Sequence, residues 1–275
     1  AQAALASRDY HAVAAMAADL LAHGGEIVTG VEVTSIAELP KARVVLFDLT
    51  PRALSRIAGD RLPDGYRRSL DRFRYGNAVA KVDFALSAPV PWTDSRLAEA
   101  ATLHVGGTRQ EMEASEADVA AGRHPEDPYV LVSQPTPFDP SRAPDGIHVL
   151  WAYTHVPRGS SEDRAEAIVA KIERYAPGFR DTIVASASRT ALEVEQYNPN
   201  YIGGDIAGGD VTIAQLLARP VLSPTPWRTA ARGIYLCSSS TPPGPAVHGL
   251  GGYYAAMTAL RDEFGVTRRP FLGLK

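Results

Sequence analysis

The chain has 275 residues, 45% of them hydrophobic and 21% charged, a balance that excludes disorder, a collagen repeat and a coiled coil. Its 28 Lys and Arg against 31 Asp and Glu leave a formal charge of −3, so no basic surplus exists to neutralise nucleic-acid phosphates. One cysteine, Cys237, allows neither an internal disulfide nor a cysteine-rich zinc site and fits a reducing, cytoplasmic setting; no apolar run approaches the roughly 20 residues of a membrane-spanning helix.

Over residues 7–23 the apolar Val13, Met16, Ala17, Leu20 and Leu21 recur at helical spacing, which predicts a helix with one buried face, stopped by Gly24-Gly25. The opening lacks the basic flank and cleavage site of a signal peptide. Residues 26–30 and 31–36 are rich enough in β-branched side chains to predict two short strands, and RVVLFDL (43–49) predicts a buried one ended by Thr50-Pro51. Helical periodicity returns in ALSRIAGDRLP and GYRRSLDRF. NAVAKVDFAL (77–86) then alternates with period two, as a half-buried strand of an antiparallel sheet does.

Further strands are predicted at 102–105, 129–133 and 148–155, with an acidic helix over 110–121 and the loop PTPFDPSRAPDG between them. Residues 162–175 read as an amphipathic helix capped by Ser160 or Ser161 and ended by Pro177-Gly178. From 198 to 226 the chain is rich in Gly, Pro and Asn and reads as irregular, with a short helix at 212–217; loops of this length usually serve a function. A buried strand (233–237), the turn SSSTPPGPAVHGLGG and a helix over 253–264 close the pattern. The expected class is α+β.

The richest chemistry lies in 234–260. A strand running into Ser238-Ser239-Ser240-Thr241, followed by Gly249, Gly251 and Gly252 at a helix opening, brings bare N–H groups and a positive helix end together. That geometry receives an anion or a polar ring, and it serves equally as a tight strand-to-helix connection packed through glycine. His248 has no carboxylate at fixed spacing and reads as a turn residue. Cys237, with no His or Lys neighbour to lower its pKa, reads as an inert thiol. The serine run lacks a G-x-S-x-G elbow. His11, His23, His104, His124, His148 and His155 show no metal-ligand spacing, so no metal site is assigned. Tyr197, Tyr201, Trp227, Tyr253 and Tyr254 gather around the loop and final helix, either as core aromatics or as the lining of an apolar tunnel. Glu111, Glu113, Glu116 and Asp118 read as a solvated face.

RGIYLCSSSTPPGPAVHGLGGYYAAMTAL resembles the C-terminal flavin-binding segment of the phytoene-desaturase-like FAD-dependent oxidoreductases, in the pyridine nucleotide-disulfide oxidoreductase domain protein two branch. DLLAHGGEIVTGVEVTSI, RVVLFDLTPRAL, VLVSQPTPFDPSRAPDGIHVLWAYTHVP and the blocks GGDI and RPVLSPTPWRT resemble further parts of that family in the expected order. The family's G-x-G-x-x-G turn, which holds the FAD pyrophosphate at a helix N-terminus, has no counterpart in these residues. The expectation is therefore the C-terminal half of such an enzyme, cut near its first helix.

The resemblance implies a mixed or antiparallel substrate domain with covering helices over 56–227. It implies an incomplete Rossmann-like FAD-binding portion from 1–55 and 228–275. It also implies an FAD-dependent oxidation of an apolar small molecule by hydride transfer to flavin, with the isolated chain inactive until the nucleotide-binding half is supplied. By position, Val33 would contact adenine through its main chain. Ser239, Ser240 and Thr241 would lie near the pyrophosphate and ribityl chain, and Gly244, Val247, His248 and Gly249 beside the isoalloxazine. Pro242, Pro243 and Pro245 reduce the N–H supply there. No catalytic residue is assigned. The alternative expectation is a non-catalytic module that binds an apolar ligand or a partner, or self-associates through the strands at 26–36 and 43–49.

Overall fold

A computed structural model describes residues 11–268. In chain order the elements are α1 (His11–Ala22), β1 (Val45–Phe47), α2 (Pro51–Ala58), α3 (Asp64–Asp71), β2 (Ala78–Leu86), β3 (Thr102–Val105), α4 (Arg109–Ala120), β4 (Val130–Ser133) and β5 (His148–Val156). There follow α5 (Ala165–Tyr175), α6 (Phe179–Thr182), β6 (Ile183–Arg189), α7 (Ala191–Tyr197), α8 (Ile213–Leu217), β7 (Ile234–Leu236) and α9 (Leu250–Phe264). The fold is mixed α and β with an antiparallel sheet, as expected. No helix among the described residues is long and apolar enough to cross a membrane. The described residues divide into two compact units: 11–31 with 77–197, and 32–76 with 198–268.

The first unit is built on a five-stranded antiparallel sheet in the order β3-β4-β5-β2-β6. Its strands alternate because one face is covered: Val82, Phe84 and Leu86 of β2 and Leu150 and Ala152 of β5 are buried with Ile168, Val169 and Ile172 of α5. Phe179 meets Phe84 edge to face at 5.5 Å. Thr108 and Glu111 form a reciprocal capping box at the start of α4, so Glu111, expected to be merely solvated, holds a helix end.

The second unit centres on β1 and β7, which run parallel, and on the apolar sides of α2 and α3. Phe47, Leu54, Ile57, Leu70, Ile234 and Leu236 form its core. Thr50 caps α2 by accepting from Ala53 N–H, with Pro51 in the first turn, where a missing N–H costs nothing. Residues 56–76 and 198–227, assigned by sequence to the substrate region, belong to this unit.

Four expectations are corrected. The helix near the start forms at His11–Ala22, residues 7–10 lying outside the described ones, but its apolar face is not buried: Met16 is 65% exposed, and Val13, Leu20 and Leu21 are exposed as well. Periodicity reports an apolar face, not a cover for it. Residues 26–36 form no strand, because no described strand takes up their N–H and C=O groups; they run as irregular chain into a 3₁₀ turn at Ile36–Glu38 capped by Ser35. The helix expected from 162 starts at Ala165, and neither Ser160 nor Ser161 is its N-cap; Arg164 holds that position and the Asp163 carboxylate accepts from Ala165 N–H. Finally, Tyr197 belongs to the first unit, with the Arg189 guanidinium 4.8 Å from its ring, whereas Tyr201, Trp227, Tyr253 and Tyr254 belong to the second.

Candidate functional site

The parallel pair sets the site. Val45 lies opposite Ile234 and Phe47 opposite Leu236, and Cys237 N–H donates to Phe47 O at 2.9 Å, so Asp48 and Cys237 leave the sheet side by side at its carboxyl end. A cleft of about 320 Å³ opens there. Asp48, Cys237, Ser238, Ser239 and Gly244 line it, together with His248, Gly249, Gly251 and Gly252 from the opening of α9.

Much of the polar lining is committed to the chain itself. Ser238 Oγ donates to Leu49 O at 2.6 Å, Ser240 Oγ to Gly208 O at 2.7 Å and Thr241 Oγ1 to Ser238 O at 2.7 Å. These bonds fold the serine run back on the strand ends and bury Ser240 and Thr241. Ser239 lines the cleft, and its Oγ, with no hydrogen bond to any described residue, lies against Gly208, where a Cβ would meet it at 2.3 Å. Of the eight residues singled out by sequence, Ser239, Gly244, His248 and Gly249 line the cleft. Ser240 and Thr241 support it from behind, Val247 is fully exposed, and Val33 is half-buried against the core of the unit.

At the mouth of α9, His248 Nδ1 accepts from Leu250 N–H at 3.0 Å, a bond within the turn that opens the helix. Gly249 (φ 62°) is the N-cap and carries no side chain to cap with. The amides of Gly251 and Gly252 are thus first-turn donors with no intrahelical acceptor.

Gly251 also explains how close α9 sits to β7. A Cβ there would stand 2.6 Å from Cys237 O and 3.1 Å from Ser238 O, both backbone atoms, whereas a Cβ on Gly252 meets nothing within 4 Å. Gly251→Ala is expected to cost about 1–3 kcal/mol by overpacking, read from urea denaturation. Gly252→Ala is expected to be neutral or stabilising by up to about 1 kcal/mol.

Two groups in the cleft have displaced pKa values. Burial, and secondarily the neighbouring Asp48, push the Cys237 thiol up to about 12. Burial of its carboxyl raises Asp48 above the ordinary aspartate range, although the residue as a whole is exposed. A carboxyl whose folded pKa lies above its unfolded value binds more protons in the folded state, so stability falls as pH rises through that interval. Asp48→Asn is expected to remove the penalty and raise the melting temperature at neutral pH, with no gain at a pH below the ordinary aspartate range.

Behind the cleft lies a polar framework that sequence reasoning missed. Asp205, 1% exposed, accepts from the N–H groups of Gly76, Ala207 and Gly209 at 2.7–2.8 Å. Arg219, also 1% exposed, donates from Nε to Ser239 O (2.9 Å), from Nη2 to Ala207 O (2.9 Å) and from Nη1 to Asp210 O (3.2 Å), with its guanidinium 5.8 Å from the Phe73 ring centroid. The two side chains hold the 205–210 loop, and Arg219 ties it to the serine run. Gly209 (φ 140°) is the only residue type that fits there, since a Cβ would meet the Phe73 ring at 2.3 Å.

A larger cleft, of about 450 Å³, lies in the first unit, with Trp92, Leu97, Leu103 and Tyr175 in its lining. Its charges are satisfied by one another. Glu111 is held down to about 2 by bonds from Thr108 and Arg174, and Arg174 also reaches Asp127. Among the described residues no three His, Cys, Asp or Glu side chains are grouped to hold a metal ion.

No family model matches the chain. Mouse pyridine nucleotide-disulfide oxidoreductase domain-containing protein 2 is 31% identical over 157 residues, 53% of this chain and 27% of that protein. The rat protein of the same name is 26% identical over 287 aligned residues, covering 90% of this chain and 49% of that one. The chain is similar to oxidoreductase-domain proteins. It spans about half the length of the rat relative. A solved oxidoreductase from Methanosarcina mazei matches with a TM-score of 0.57 over 90% of this chain and 53% of that chain, at 16% identity, a likeness of fold alone.

Proposed function

We propose that the second unit carries one edge of an FAD site and that the chain is part of an oxidoreductase acting on an apolar small molecule. The observation that carries this reading is the position of the cleft. It lies outside the carboxyl ends of a parallel strand pair and against a glycine-opened helix N-terminus, where open α/β sheets take nucleotide cofactors. The similarity to oxidoreductase-domain proteins gives that position a chemistry.

The residues fit one part of the cofactor. The open amides of Gly251 and Gly252 suit the carbonyl and nitrogen edge of an isoalloxazine, with Gly244, Val247, His248 and Gly249 beside the ring. Ser239, with Ser240 and Thr241 behind it, is the candidate ribityl side, and the main chain at Val33 is the candidate adenine contact. The phosphate end has no matching cradle. Pro242, Pro243 and Pro245 donate no N–H, and G-x-G-x-x-G is absent from the 275 residues. A polypeptide bearing that turn completes the site in this reading. FAD, when bound, supplies the two-electron acceptor for hydride leaving the substrate; the part played by this chain is to orient the ring and exclude water. Residues 77–197 of the first unit then serve as the substrate side.

Co-expression with a dinucleotide-binding segment that carries G-x-G-x-x-G tests the proposal. The expected product is a yellow complex with one flavin per chain; a stable but colourless complex contradicts it. A second reading, a non-catalytic module that docks a partner, draws on the exposed apolar residues of α1 and on Ile27, Val28 and Val31 beyond it. The colourless complex is its signature.

A further inference from the structure

We infer that Asp48 selects the polyol part of the ligand in this cleft, by accepting a hydrogen bond from a ligand hydroxyl, and that it turns phosphate away. The inference rests on the flavin reading and deepens it. Asp48 follows β1 directly and lines the cleft beside Cys237 and Ser239. Its carboxylate accepts no hydrogen bond from any described residue. Asp205 in the same unit shows the contrast, since its oxygens are filled by three backbone N–H groups.

The cleft therefore offers two unlike faces. The first turn of α9 presents donors, and Asp48 presents an acceptor with a negative charge. A ligand satisfying both has acceptors on one part and hydroxyls on another. A phosphate has acceptors only and brings further negative charge toward a carboxylate, so the helix N-terminus, favourable to an anion by itself, is cancelled as a phosphate site. A ring bearing carbonyls and joined to a chain of hydroxyls meets both requirements. The partial burial of the Asp48 carboxyl, which costs free energy while it is unpaired, is offset when a hydroxyl reaches it.

The test compares three probes on the intact chain by amide NMR: riboflavin, which carries the polyol; lumiflavin, which has the same ring without it; and inorganic pyrophosphate. Riboflavin is expected to shift the amides of 237–239 and 249–252 and to bind about tenfold more tightly than lumiflavin, the ratio one hydrogen bond to a charged acceptor gives. Asp48→Ala is expected to bring riboflavin down to the lumiflavin affinity and leave lumiflavin unchanged. Since the Asp48 carboxylate bonds nothing in the chain, this variant keeps its fold, and an unaltered amide spectrum elsewhere verifies that. Equal binding of the two flavins by the native chain overturns the inference while leaving the flavin reading intact, as does a preference that survives Asp48→Ala. Displacement of riboflavin by pyrophosphate overturns it too. If neither flavin shifts these amides, the flavin reading fails together with the inference.

Discussion

Replacing Arg219 by alanine is expected to remove about 3–5 kcal/mol of stability, because it strips hydrogen-bond donors from buried carbonyls at once. Ala207 O, Asp210 O and Ser239 O all lose a direct partner, and the space left by the guanidinium stays polar-walled. Denaturant unfolding measures the loss, and hydrogen exchange locates it: amides of 205–210 and 238–241 should lose protection before those of β2 and β5. Arg219→Lys keeps the charge but not the fork and is expected to recover only part of the loss. A change below about 1 kcal/mol for Arg219→Ala would show that the loop is held by something else.

Cys237 is expected to resist alkylation. With its thiol near 12 against about 8.5 for an ordinary cysteine, the thiolate fraction at pH 8 is smaller by roughly three orders of magnitude, and the rate with iodoacetamide falls in proportion. Labelling followed by mass spectrometry should show a near-silent thiol in the folded chain and normal reactivity in urea. Rapid labelling of the folded chain would restore Cys237 as a candidate nucleophile or covalent flavin anchor. Slow labelling keeps it as a small apolar wall of the cleft.

The fold was legible wherever one element had two faces of different polarity. Residues 77–86 and 148–155 alternate because Val82, Phe84, Leu150 and Ala152 face the α5 core and Lys81, Asp83, Trp151 and Tyr153 do not. The strand β6 was not assigned from sequence, since IVASASR pairs along only one side, with β2, and buries almost nothing; small, half-exposed side chains leave no pattern to read. Residues 26–36 show the converse, β-branched composition without a neighbouring strand.

At the site, the strand end and the glycine-opened helix could be read because their geometry depends on residue type: Gly249 takes a positive φ and Gly251 has no room for a Cβ. Arg219 and Asp205 could not. In ARPV and GGDI they look like the charged residues of an exposed loop, and only the folded chain brings round them the loop carbonyls and amides, Ser239 O and, from 129 residues before Asp205, Gly76 N–H. Asp48 falls inside the strand expected over 43–49, which in the structure ends at Phe47. Its unpaired carboxylate is a property of the cleft, not of the local sequence.

The central claim is that the carboxyl ends of β1 and β7 and the opening of α9 form a flavin-binding edge. Titration of the isotopically labelled chain with FAD, followed by amide NMR, addresses it most directly. The account predicts shifts concentrated at Asp48, 237–239 and 244–252, in fast exchange and with a dissociation constant on the order of millimolar, since only one edge of the cofactor is held. Shifts confined to other residues, or an unchanged spectrum at saturating FAD, would contradict it.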